Sequence, residues 1–189
     1  MAEARASWAG MTPGLDASRL VFLDETWAST RMARTDGWAP RGERLVAAVP
    51  HGRWRITTFV GALRPEGFAA PAVIDGAMDG PTFLAYVRQA LAPTLREGDT
   101  LVMDNLSVHK VAGVREAIEA RGATLLYLPP YSPDLSPIEL AFSKLKRLLR
   151  SAAERTTEGL WTAIGALLDR FGPDECRRYF RHCGYVQSA

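Results

Sequence analysis

Two short apolar runs that each end abruptly in acid constrain this chain more than any other feature. LVFLDE occupies residues 20–25 and TLVMDN residues 100–105. A short continuous apolar run reads as a strand buried on two faces, as in the middle of a sheet covered by helices. A carboxylate beside such a core is costly unless something pairs with it. In open α/β sheets, moreover, ligands bind in the crevice outside the carboxyl ends of strands. If the two strands are parallel neighbours, Asp24 and Asp104 share one site. Their mutual repulsion would raise at least one pKa, and a hard divalent cation, magnesium or manganese, answers the need for charge balance with oxygen ligands. Taken singly, each aspartate also fits a residue that caps a turn or pairs with an arginine.

The rest of the chain supports an α/β reading. Residues 43–50 and 54–63 are strand-like and separated by the turn-prone Pro50, His51 and Gly52, which predicts a hairpin. Phe83, Leu84, Val87 and Leu91 recur at helical spacing behind Pro81, and Val111, Val114, Ala117 and Ile118 do so before Gly122. Residues 123–128 follow as a strand, so the order from residue 100 is strand, helix, strand, which implies a right-handed crossover and a partly parallel sheet. The proline-rich LPPYSPDLSP, residues 128–137, must be a loop. Beyond it Ile138, Ala141, Phe142, Leu145, Leu148 and Leu149 form an amphipathic stripe, and further helices are expected over 157–171 and 174–183. Ser136, Pro137 and Glu139 fit a capping box, so Glu139 has a structural reading of its own.

At 189 residues and 47% hydrophobic, the chain suits one catalytic domain over 18–189 behind a short lead over 1–17. No run approaches the ~18 apolar residues of a membrane span, which points to a soluble cytoplasmic protein. The net charge of +2 decides nothing about partners. Local charge says more: Arg31, Arg34, Arg41, Arg44, Arg53, Arg55 and Arg64 face only Asp36 and Glu43, a candidate phosphate-facing surface or an ordinary solvated one. Cys176 and Cys183 lie two turns apart on one expected helix, too far for a disulfide, and read as core or surface thiols.

VFLDE, VMDN and LPPYSPDLSPIELAFSKLK resemble, in order, the three acidic motifs of DDE transposases of the mariner and insertion-sequence 630 group. The 34 residues between Asp104 and Glu139 are the spacing of that group. The chain departs from the usual PDLNPIE at Ser136, an equally good helix cap, and at Ser107 and Val108 after the second acid. The resemblance implies a ribonuclease H-like fold, a mixed five-stranded sheet flanked by helices, with Asp24, Asp104 and Glu139 holding Mg²⁺ or Mn²⁺, as two ions. It implies metal-dependent phosphodiester hydrolysis at transposon ends and strand transfer into target DNA. Double-stranded DNA is the expected partner, on which such proteins act as homodimers, and a bacterial chain would associate with the nucleoid. Members carry amino-terminal helix-turn-helix modules that nothing before residue 18 supplies, so a separately encoded subunit is a further candidate partner.

Within the motifs, Glu25 points to the opposite strand face from Asp24, Asp134 reads as a turn former, and His109 as a polar residue at a helix start. Arg41, Arg44, Lys144, Lys146 and Arg147 are the candidate DNA contacts, positioning phosphates without reading sequence. Two other readings stay open. One is a different ribonuclease H-like nuclease or integrase; the other is a catalytically silent DNA-binding remnant of a transposase.

Overall fold

A computed structural model describes residues 2–185. Five strands form one mixed sheet: β1 (Leu20–Ser29), β2 (Ile56–Arg64), β3 (Gly67–Asp75), β4 (Thr100–Met103) and β5 (Thr124–Tyr127), in the order β3-β2-β1-β4-β5. The first three pair antiparallel as a meander, while β4 and β5 join parallel to β1, with Leu23 opposite Met103. Strand β1 therefore lies at the centre, which is why residues 20–23 are apolar without alternation and all are buried.

Alternate residues of these strands face two separate cores. Leu20, Phe22, Phe59, Leu63 and Val102 pack under α4 (Pro137–Ala152), α5 (Thr157–Leu168) and α6 (Pro173–His182). Val21, Leu23, Val60, Leu101 and Met103 pack under α2 (Gly80–Tyr86) and α3 (Val114–Glu119). Helix α2 starts cleanly because the Asp79 carboxylate caps the Thr82 N–H and Pro81 sits in its first turn. It continues through a π turn, Val87–Leu91, before the chain enters β4.

Two expectations are corrected, the hairpin and the place of Arg64. Residues 43–50 form no strand; the whole stretch 33–55 is irregular, and the hairpin is β2 with β3, turning at Pro65 and Glu66. Residues 67–75, for which no element was expected, form β3 at the sheet edge, where the missing N–H of Pro71 costs no ladder bond. The lead expected over 1–17 contains helix α1 (Ala2–Met11), whose Trp8 is buried and donates its indole N–H to the Tyr185 hydroxyl at 3.2 Å. Arg64, grouped above with phosphate-facing arginines, is instead buried in an ion pair of 2.6 Å with Asp99 at the end of the sheet remote from the acids. Burial pushes the Asp99 carboxyl up, but the Arg64 guanidinium and the Arg96 N–H outweigh it and hold it below the usual range. Cys176 and Cys183 are both free and buried.

Candidate active site

Strand β1 runs past the carboxyl end of β4, and this offset builds the site. Leu23 is level with Met103, so Asp24 and Asp104 are the next residues along two parallel neighbours. Asp24 has the parity of Leu20 and Phe22 and faces the α4 layer; Glu139, in the first turn of α4, comes down from above. The three carboxylates line one cavity of about 390 Å³, walled on the other side by Asn105, Leu106 and the proline-rich loop from Leu128 to Pro133.

Glu139 is in this cavity and not in a capping box. Ser136 makes no side-chain cap bond to α4, and Glu139, which is exposed, makes no side-chain hydrogen bond among the described residues. Asp24 accepts one hydrogen bond, from the Glu25 N–H at 2.8 Å on Oδ1. Burial, reinforced by the negative charges of Glu25, Glu139 and Asp104, pushes its carboxyl up to about 8. No cationic side chain lies within ion-pair distance of Asp24 or Glu139 among the described residues. Three oxygen donors crowded around an uncompensated negative potential fit a hard divalent cation. They do not close into a compact three-ligand cluster among the described residues.

Asp104 differs because it has a cation. His109, expected above as a polar residue at a helix start, lies in a short 3-10 helix, Ser107–Lys110, but is fully buried, and its two ring nitrogens face two acids. Nε2 lies 2.9 Å from Glu25 Oε2, and Nδ1 lies 2.5 Å from Asp104 Oδ1, close but without an aligned hydrogen bond. Burial alone would lower the imidazole pKa; contact with Asp104 and Glu25 reverses this and pushes it up to about 10. Burial likewise pushes Asp104 up, and the His109 and Leu106 N–H contacts leave it below its ordinary value. Sequence reasoning missed this role because His109 and Glu25 are 84 positions apart. The one available signal was that Glu25 must face the α2 layer when Asp24 faces α4.

The candidate DNA contacts separate into groups. Lys146 is half-buried two turns beyond Glu139, its ammonium 4.9 Å from the centre of the exposed Trp27 ring. Burial lowers its pKa, partly offset by Glu139 and Asp24, which places it beside the acids. Arg147 joins Arg34 and Arg150 around a second cavity of about 250 Å³ with one acid, Asp36. Arg41 and Arg44 are exposed on the irregular 33–55 segment. Lys144 points elsewhere: its ammonium donates to Glu175 Oε2 at 2.5 Å and to the Arg170 carbonyl at 2.7 Å, tying α4 to α6. Lys144→Met is therefore expected to cost about 1 kcal/mol in a denaturant melt while leaving DNA affinity unchanged. Asp134 accepts a bidentate pair from Arg5 of α1, at 2.9 and 2.6 Å, and so fixes the proline-rich loop.

Comparisons with known proteins bear on the fold and the family. A pre-cleavage Mos1 transpososome superposes with a TM-score of 0.74 at 15% identity, over 95% of this chain and 56% of that one. A Mos1 mariner paired-end complex with Mn gives 0.71 at 15%, over 95% and 56%. The catalytic domain of Mos1 mariner transposase gives 0.67 at 15%, over 95% and 82%. At such identities the likeness is one of fold, which is ribonuclease H-like, and the chain spans just over half of the transpososome protein. No curated protein matches. The family described as DDE superfamily endonuclease matches residues 19–160, a span that holds all five strands, both aspartates and Glu139. The chain belongs to the DDE superfamily of endonucleases.

Proposed function

We propose that this chain is the catalytic domain of a DNA transposase, cutting phosphodiesters at transposon ends and joining the freed 3′ hydroxyl to target DNA. The observation that carries the reading is the convergence of Asp24, Asp104 and Glu139 on one cavity, with no cation paired to two of the three. Asp24, Asp104 and Glu139 would hold Mg²⁺ or Mn²⁺, as a pair of ions. Divalent metal bound there would polarise the phosphodiester and lower the pKa of the attacking water. Asp24 would contribute an oxygen ligand from the central strand β1. Asp104, already oriented by His109, would offer Oδ2, which has no protein partner among the described residues.

DNA would lie over the cavity along the basic flank of α4. Lys146 sits beside the acids, and Arg34, Arg147 and Arg150 extend the positive surface away from them. Arg41 and Arg44 would reach the backbone from the irregular segment. Removing both Arg147 and Arg150 is expected to reduce the slope of log affinity against log salt by about 0.9 per lost phosphate contact, read in binding isotherms at several salt concentrations. The same segment exposes Trp38, Val46 and Val49, apolar surface of the kind buried in assemblies, which supports a homodimer on DNA. Domain 18–189 behind the 1–17 lead would take end recognition from helix-turn-helix modules outside these residues, on a separately encoded subunit or elsewhere. No helix is long and apolar enough to cross a membrane among the described residues; the proposed location is the bacterial cytoplasm, at the nucleoid.

Incubating the chain and Mn²⁺ with duplex DNA and, separately, with an RNA:DNA hybrid tests the reading. Cleavage of duplex DNA in preference to the hybrid is expected. Preference for the hybrid would assign a ribonuclease H instead, and cleavage of neither would assign a catalytically silent binding domain.

A further inference from the structure

Glu25 and His109 are both withdrawn from the cavity, yet they form a continuous chain of contacts that ends on one of its carboxylates. Glu25 belongs to the central strand β1, on the face opposite Asp24. Its Oε2 meets His109 Nε2 at 2.9 Å, and His109 Nδ1 meets Asp104 Oδ1 at 2.5 Å. The imidazole has no freedom to be elsewhere. The His109 ring packs on Phe83 with centroids 4.5 Å apart, the backbone N–H of His109 donates to the Leu106 carbonyl at 3.2 Å, and its backbone carbonyl accepts from the Tyr127 hydroxyl at 3.3 Å. Asp104, by contrast, stands just past the end of β4 on backbone with no regular structure, its side chain 36% exposed. Left to itself such a carboxylate samples several rotamers.

We infer that Glu25 and His109 are positioning residues for Asp104. They transmit the rigidity of β1 around the carboxyl end of β4, hold Oδ1, and so present Oδ2 to a divalent cation. The inference rests on the proposed metal site. Ligating carboxylates are commonly held by an outer hydrogen-bonding partner, and loss of such partners typically weakens metal binding about 10–100-fold. An ordinary core ion pair would stabilise the fold without affecting the cation, so the two roles separate experimentally.

The shapes of the side-chain amides provide the test. Asn at position 109 places its amide near Nδ1 and can still bond Asp104; Gln reaches toward Nε2 and can bond Glu25 but not Asp104. Manganese(II) affinity, measured by the loss of the free-ion electron spin resonance signal, is expected to fall about threefold in His109→Asn, which keeps the Asp104 contact but loses Glu25, and at least about tenfold in His109→Gln, which loses Asp104. Circular dichroism and thermal melts should show both folded. Equal affinities in the two variants, whether both retained or both lost, overturn the inference. Should neither variant fold, Glu25→Ala, at a side chain 20% exposed, takes their place: weakened manganese binding in a folded protein supports the role, and unchanged binding overturns it. Wild type and Asp24→Asn run alongside. If wild type binds no manganese, the metal site fails and the inference with it; if wild type binds and His109→Gln binds as well, only the inference fails.

Discussion

Replacing Asp104 by Asn should reduce metal-dependent DNA cleavage at least about 10³-fold with the fold intact. The substitution removes one negative oxygen from the cavity and preserves size. Divalent metal supplies several kcal/mol of transition-state stabilisation in such sites, and each ~1.4 kcal/mol is a factor of ten in rate. The fold should survive because β4 ends at Met103 and Asp104 lies beyond it with a side chain 36% exposed. Single-turnover cleavage of labelled duplex at saturating Mn²⁺ provides the measurement. Retention of more than about a tenth of the wild-type rate would show that Asp104 is not a metal ligand.

Asp24→Asn should abolish cleavage too, but with an opposite effect on stability that makes it the more informative variant. In the metal-free protein the Asp24 carboxyl titrates at about 8, against roughly 3.9 in an unfolded chain. Between these values the folded state holds a proton that the unfolded state has released, so stability falls as pH rises through the window. Below about pH 4 both states are protonated and nothing is lost; above about pH 8 both are ionised and the full penalty applies. Asn mimics the protonated acid at every pH. At pH 8 and without metal, Asp24→Asn is expected to be more stable by on the order of 3 kcal/mol, after solvent relaxation around a half-buried group, or about 6–12 °C in melting temperature. The difference should shrink toward pH 4. His109, with its own window from about 6.5 to about 10, contributes alike to both proteins. Manganese should raise the melting temperature of wild type and leave Asp24→Asn unmoved. A variant less stable than wild type at pH 8 would mean that Asp24 is held by something other than its neighbours' charge.

What was legible follows from where the information resides. The two central strands announced themselves because burial on both faces removes alternation, and an acid at the end of such a run has no cheap structural excuse. Glu139 was legible only through its order and spacing behind the other two, since Ser136 and Pro137 offered a complete account of it as a helix-start residue. The structure withholds that account: the capping bond is not made. Edge strand β3 went unassigned, and its Pro71 is tolerated because an edge strand can do without one N–H where a central strand cannot. Residues 43–50 misled in the other direction, their apolar character belonging to exposed surface at Leu45, Val46 and Val49. Helix α1 gave no signal beyond Trp8, whose burial depends on Tyr185 at the far end of the chain. Lys144 and Lys146 differ by two positions and read alike, yet about 200° of helix separates them, so one meets α6 and the other the acids. The Glu25, His109 and Asp104 contacts are non-local in the same way. Periodicity reports a residue's face, whereas its partner across the sheet is set by topology.

In the proposed site three carboxylates act together on metal, and Glu139 is the one whose position at a helix start offers the fullest rival explanation. Nicking of supercoiled plasmid by Glu139→Gln in Mn²⁺, compared with wild type at equal concentration, tests it most directly. Loss of nicking with an unchanged melting temperature is predicted. Nicking at the wild-type rate would return Glu139 to the start of a helix and leave the cavity with two acids.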